Sequence, residues 1–257
     1  MSRHHVFSHL TAAQIWGIPL PLTVDDGTIH VCAPAPARAP TGKAVTGHRF
    51  EIAAEHIRER GGLRLTSPAL TWAHLSELLE PHDLVAAGDF VVTGNPFNNV
   101  LPLGEHADLE AIHNGGAPRR GRRNRETALP MVQEGALSRP ESVLRYWILR
   151  AGAPAPQVNP SIVDGRGSFI AMPDLAWPEY TFAIEYEGDH HRSVRQYRRD
   201  VRRIEVLVDA GWSVMKVTAD DLFGRPDETV ARVLRRLETR GWRRTPSRLR
   251  HIGPMSR

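Results

Sequence analysis

The clearest alternation of apolar and polar positions falls over 172–191, MPDLAWPEYTFAIEYEGDHH. Two short apolar and aromatic runs flank Trp177-Pro178-Glu179-Tyr180, where Pro178 suits the second position of a turn and cannot continue a central ladder. The pattern predicts a hairpin. With an even loop centred on Pro178 and Glu179, Asp174 pairs with Ala183 and Leu175 with Phe182. Side chains alternate along a strand and paired residues share a face. Asp174, Ala183, Glu185 and Glu187 then line one face, while Leu175, Phe182, Ile184 and Tyr186 line the other and go to a core. Ala183 leaves room beside the acidic groups, and like charges on neighbouring strands call for a cation or proton between them. A half-buried hairpin whose polar face meets water fits the same pattern.

Upstream, Ser8 is a candidate cap for a short helix over 8–17, ended by Gly17 and Pro19. Strands are expected over 28–33 and 43–50, across a proline-rich connection, and over 63–66. Ser67 with Pro68 opens a helix running through Leu78 and Leu79, and another is expected over 82–92. The turn-rich stretch 95–104 marks a boundary. Helical pattern then returns with an arginine cluster, Arg119, Arg120, Arg122, Arg123 and Arg125, which reads either as a solvated face or as a phosphate contact.

Ser138-Arg139-Pro140-Glu141 has capping-box spacing. It opens a helix whose apolar stripe is Leu144, Trp147 and Ile148, with Glu141 in line with that stripe. A carboxylate on a buried edge needs a partner. A strand over 156–163, a turn at 164–167 and a strand over 168–177 lead into the hairpin. After Gly188, a helix from near Ser193 buries Val194, Tyr197, Val201, Ile204 and Val208. Gln196, Arg199, Asp200 and Arg203 lie off that stripe, toward the acidic face or toward phosphate. A strand over 212–218 and a helix over 227–240 follow, and the arginine-rich end is expected to fray.

Composition narrows the classes. The 257 residues, 41% hydrophobic, suffice for two modest domains. The net charge of +4 is carried almost wholly by arginine, since Lys43 and Lys216 are the only lysines. Arginine binds phosphate in a forked geometry, so the balance permits a nucleic-acid partner. Cys32 stands alone, which excludes an internal disulfide framework and a multi-cysteine zinc module and suits a reducing cytoplasm. No apolar run approaches the roughly 20 residues of a membrane span, and the start lacks the apolar stretch of a signal peptide. A cytoplasmic protein with no membrane partner is expected.

Taken in order, Asp174, Glu185-Tyr186-Glu187-Gly188, His190-His191, the following helix with Asp200 and Arg203, and Gly211-Trp212-Ser213-Val214 resemble a known family. It is the restriction-endonuclease-like family related to very-short-patch-repair enzymes, within the PD-(D/E)XK nuclease superfamily. The resemblance covers 138–222. It implies an α+β domain over 138–240 built as helix, three-strand antiparallel meander, helix, strand and helix. It also implies an endodeoxyribonuclease or nickase, in repair or defence, dependent on Mg2+ or Mn2+. Magnesium held by one or two carboxylates can activate water and neutralise phosphate charge. By that resemblance Asp174 and Glu185 are the ligand pair, and Glu141 matches a further acidic position on the preceding helix. Glu187 is a further ligand or water-positioning group.

The superfamily usually has lysine at the place of Glu187, and the nearer family usually has aspartate. Glu187 departs from both, which leaves the general base unassigned. His190 or His191 can serve as base or leaving-group acid, or can sit in an exposed loop. Lys216, on the next strand, is a substitute for the missing lysine. Arg119, Arg120, Arg122, Arg123, Gln196, Arg199 and Arg203 are candidate DNA contacts.

The N-terminal pattern SHLTAAQIWGI, IHV and LRLTSPALTWAHL resembles the C-terminal region of type IV abortive-infection antitoxins. That implies a small mixed α/β accessory domain over 1–100, able to take a protein partner, and expected to lack the winged helix that often precedes it. A helical basic connector over 101–137 and a basic tail over 241–257 complete the expected organisation. A metal-dependent nuclease, a silent nucleic-acid-binding domain and an antitoxin-like regulator all remain open.

Overall fold

The computed structural model describes residues 5–25, 27–34, 37–188 and 204–244. His190, His191, Gln196, Arg199, Asp200 and Arg203 lie outside them. The chain divides into two compact units, Met1–Arg139 and Pro140–Arg257, and each mixes helices with sheet.

The first unit is built on a five-stranded mixed sheet. Its strands are β1 (Val6–Phe7), β2 (Ile29–Pro34), β3 (Val45–Phe50), β4 (Ile57–Arg60) and β5 (Leu63–Thr66), in the order β3-β2-β1-β5-β4. β2 runs parallel to β3, and β1 runs antiparallel to β2 and parallel to β5. β4 and β5 form a hairpin turned by Gly61 and Gly62, both at positive φ, where a side chain would be strained. β1 and β4 were not expected. The first is two residues long, and IRER of β4 is a polar edge with no apolar alternation to betray it.

Helices α1 (His9–Trp16), α2 (Pro68–Leu75), α3 (Pro81–Thr93), α4 (His106–Ala111) and α5 (Arg122–Ala128) belong to the same unit. Gly17 closes α1 in the left-handed region, and the Ser67 hydroxyl accepts from the Leu70 N–H at the start of α2. α2 stops at Leu75, short of the expected Leu79, where the Ser76 hydroxyl donates to the Ala73 carbonyl. The stretch 101–137, expected as a connector, is part of this unit, with α5 packed on α3. Trp72, Leu75, Leu84 and Leu109 are completely buried in its core.

The second unit opens with α6 (Arg139–Arg150), whose Val143, Leu144 and Ile148 are buried. Strands β6 (Gln157–Val158), β9 (Leu175–Trp177), β10 (Phe182–Glu187) and β11 (Ser213–Thr218) form a sheet in the order β11-β10-β9-β6. β6, β9 and β10 are antiparallel neighbours, whereas β11 is parallel to β10. β7 (Ile162–Val163) and β8 (Phe169–Ala171) form a separate ribbon, and α7 (Pro226–Thr239) comes last. The two long strands expected before the hairpin are therefore each broken in two. Asn159 at φ 47° and Pro160 interrupt the first, and Pro173, lacking an N–H, interrupts the second.

The hairpin register also differs from expectation. Leu175 pairs with Ile184, Ala176 with Ala183 and Trp177 with Phe182, two residues from the expected pairing. The loop is a 3-10 turn over Pro178–Tyr180 followed by Thr181 at φ 44°. Arg240 fastens it, donating to the carbonyls of Tyr180 at 2.9 Å and Thr181 at 2.7 Å. A shift of two leaves every side chain on its original face. Trp177 and Phe182 stack at 5.3 Å on the apolar face. On the other face, Ala176 and Ala183 pack with Ile162, Ala171 and Leu207, so apolar atoms fill the space expected beside Ala183.

Candidate active site

The corrected register brings Asp174 alongside Glu185, one step past the Leu175–Ile184 pair. The antiparallel ladder ends there, and the Asp174 carboxylate takes the place of a strand partner by accepting the Tyr186 N–H at 2.5 Å. On the other side of β10, Glu185 is in register with Lys216 and Glu187 with Thr218. Asp174, Glu185, Glu187 and Lys216 thus share a face. The Lys216 ammonium lies 2.5 Å from the Glu187 carboxylate, both partly exposed, whereas Glu185 is buried. A cation therefore stands beside Glu187, although the strand itself carries none at that position.

Glu141, in the first turn of α6, is also buried, and its Oε2 accepts from the Asn159 side-chain amide at 2.8 Å. The Asn159 backbone N–H donates to the Asp174 carbonyl at 2.9 Å. One residue therefore ties the helix carboxylate to the strand that carries Asp174. Sequence reasoning missed Asn159, although an asparagine before proline, a residue type that tolerates positive φ, was the available signal. Glu141, Asp174 and Glu185 do not form a set of three ligand atoms within 4.8 Å of one another among the described residues. Magnesium, which keeps several waters, needs only one or two carboxylates.

The arginine cluster lies on the first unit. Arg119, Arg120, Arg122 and Arg123 are exposed around an open cleft of about 690 Å3 that also includes Glu77. Arg122 pairs with Glu126 at 2.8 Å. Arg125 is buried and donates to the carbonyls of Pro118 and Arg120 and to the Ser76 hydroxyl, so it holds the loop rather than facing solvent.

A second concentration of polar chemistry went unnoticed in the sequence. His30 lies two residues before Cys32 on β2, Cys32 is in register with His48 on β3, and both histidines therefore occupy one sheet face. His9 of α1 stacks on His48 at 3.7 Å and on His74 of α2 at 4.5 Å. One ring nitrogen from each of His9, His30 and His48 lies within 4.8 Å of the others. Burial, reinforced by the neighbouring rings, lowers the pKa of His48 to about 4 and of His74 to about 3, and it lowers that of His9 further. Four separate segments supply these residues, so no local spacing announced them.

No family model matches the chain, and no solved structure matches it. Two uncharacterized proteins, from two strains of Mycobacterium tuberculosis, are similar to it. Each is 27% identical over 242 residues, covering 93% of this chain and 83% of the relative. The likeness therefore extends across both units. Fold and site define a two-unit mixed α/β protein whose second unit carries carboxylates on one face of a small mixed sheet. Among the described residues no helix is long and apolar enough to cross a membrane.

Proposed function

We propose that the Pro140–Arg257 unit is a metal-dependent phosphodiesterase acting on DNA, with the restriction-endonuclease-like core that its motif order resembles. The observation that carries this reading is the sharing of one sheet face by Asp174 and Glu185 on adjacent strands, with Lys216 beside Glu187. Asp174 and Glu185 would hold Mg2+ or Mn2+, which supplies an activated water and charge neutralisation at the phosphate. Glu141, steadied by Asn159, is the further acidic group. Lys216 provides the positive charge that the strand lacks where Glu187 stands. Exposed Arg119, Arg120, Arg122 and Arg123 offer phosphate-backbone contacts.

Plasmid cleavage with Mg2+, Mn2+ and chelator tests this. Wild type should cut only with metal, and Asp174→Ala or Glu185→Ala should each lower the rate by about 100-fold or more. One observation favours a second reading, a silent DNA-binding domain, because Asp174 already serves as the ladder partner of Tyr186. Salt-sensitive DNA binding indifferent to chelator, with no cutting, would select it.

A further inference from the structure

We propose that His9, His30 and His48 form a separate metal site in the Met1–Arg139 unit, one that takes a single divalent transition ion of the zinc class. Three imidazoles from α1, β2 and β3 converge, with a potential ligand nitrogen of each within 4.8 Å of the other two. His30 Nδ1 and His48 Nε2 are 3.0 Å apart, close to the separation of about 3.3 Å between two nitrogens on a tetrahedral zinc ion. The Ser8 hydroxyl lies 3.0 Å from His9 Nδ1, which leaves His9 Nε2 for an ion and supplies the outer hydrogen bond that metal-bound histidines commonly keep.

His74 gives an independent indication. It is completely buried, stacked against His9, and neither of its ring nitrogens has a hydrogen-bond partner. Polar atoms so placed are unusual in a core. An ion held by the three neighbours would place positive charge beside the His74 ring, which lines the site and lies outside the set of three ligand nitrogens. His9 itself holds φ at 48°, an uncommon conformation for a non-glycine residue.

The donor chemistry decides the ion. Imidazole nitrogens suit zinc, nickel, copper and cobalt, whereas Mg2+ and Ca2+ prefer oxygen. This site is independent of the carboxylates of the second unit and of any cleavage.

Untagged full-length protein, stripped with chelator and titrated with Co2+ and Zn2+, tests the assignment. Wild type should take up one ion per chain, with the visible absorption of four-coordinate Co2+ that Zn2+ abolishes. His48→Gln should lower the affinity by about 100-fold or more, and Ser8→Ala by about 10-fold. His106→Gln and the double variant His190→Gln with His191→Gln should each bind as wild type does. Circular dichroism confirms that the variants are folded. Wild-type protein that is folded yet takes up no stoichiometric ion would overturn the proposal, leaving a packed stack of neutral imidazoles. Undiminished binding by folded His48→Gln would overturn it equally.

Discussion

Asn159 holds its backbone at φ 47°, gives its N–H to the Asp174 carbonyl and gives its side-chain amide to Glu141. Replacement by alanine removes a hydrogen bond to a carboxylate and puts a less tolerant residue in the left-handed region. Asn159→Ala should therefore cost about 2–4 kcal/mol, read from chemical denaturation. Asn159→Gly should recover about 1 kcal/mol of that, because glycine relieves only the backbone. Equal stability of the two variants would mean that the positive φ contributes nothing. The acidic residues were legible where Asn159 was not. Glu185 and Glu187, two apart on a strand, must share a face, and Asp174 joined them even though the inferred pairing was off by two. The targets of Asn159 are fixed by how α6 and β9 come together, which no local pattern records.

At the level of elements, Asp221 links the end of β11 to α7. Its carboxylate accepts from the N–H and hydroxyl of Thr218, both at 3.1 Å, and from Arg232 at 2.7 Å. Burial alone would push its pKa up, but the Thr218 donors and the Arg232 guanidinium outweigh that and hold it below the ordinary carboxylate range. A carboxyl with a depressed folded pKa stabilises the fold above its unfolded pKa and loses that contribution as pH falls through the folded value. Asp221→Asn should cost about 1–2 kcal/mol at neutral pH, the lower part of the usual range because Arg232 is partly exposed. The gap in melting temperature between variant and wild type should close as pH falls below 3.8. A gap that persists unchanged in acid would rule out the charge as its source. Caps and prolines made α1 and α2 readable, whereas the breaks at Asn159-Pro160 and Pro173 were overlooked because apolar residues, Val158 and Ile162 around the first and Met172 and Leu175 around the second, lie on both sides.

For the whole molecule, the division at Met1–Arg139 and Pro140–Arg257 gives each unit its own sheet and buried aromatic centre, Trp72 in one and Trp177 in the other. Separate cores imply separate folding. Fragments 1–137 and 138–257, cut so that Ser138 stays with α6, should each unfold cooperatively in denaturant when followed by circular dichroism. A fragment without a cooperative transition would show that its core is incomplete alone. The mixed α/β class was within reach of the sequence, because apolar periodicity is local, whereas the turn-rich stretch 95–104 lies inside the first unit and does not mark the division. The histidine cluster was not within reach, since it exists only where α1, α2, β2 and β3 meet.

Ala176 and Ala183 face each other across β9 and β10, and the cluster that includes Ile162 and Ala171 of the neighbouring ribbon rests on them. Two methyl groups thus act as a shim whose thickness sets how close that ribbon can come. Asp174 and Glu185, the next pair on that face of the same strands, would inherit any tilt that a bulkier shim imposed. Laboratory evolution of this face therefore has a dial at positions that touch no ligand.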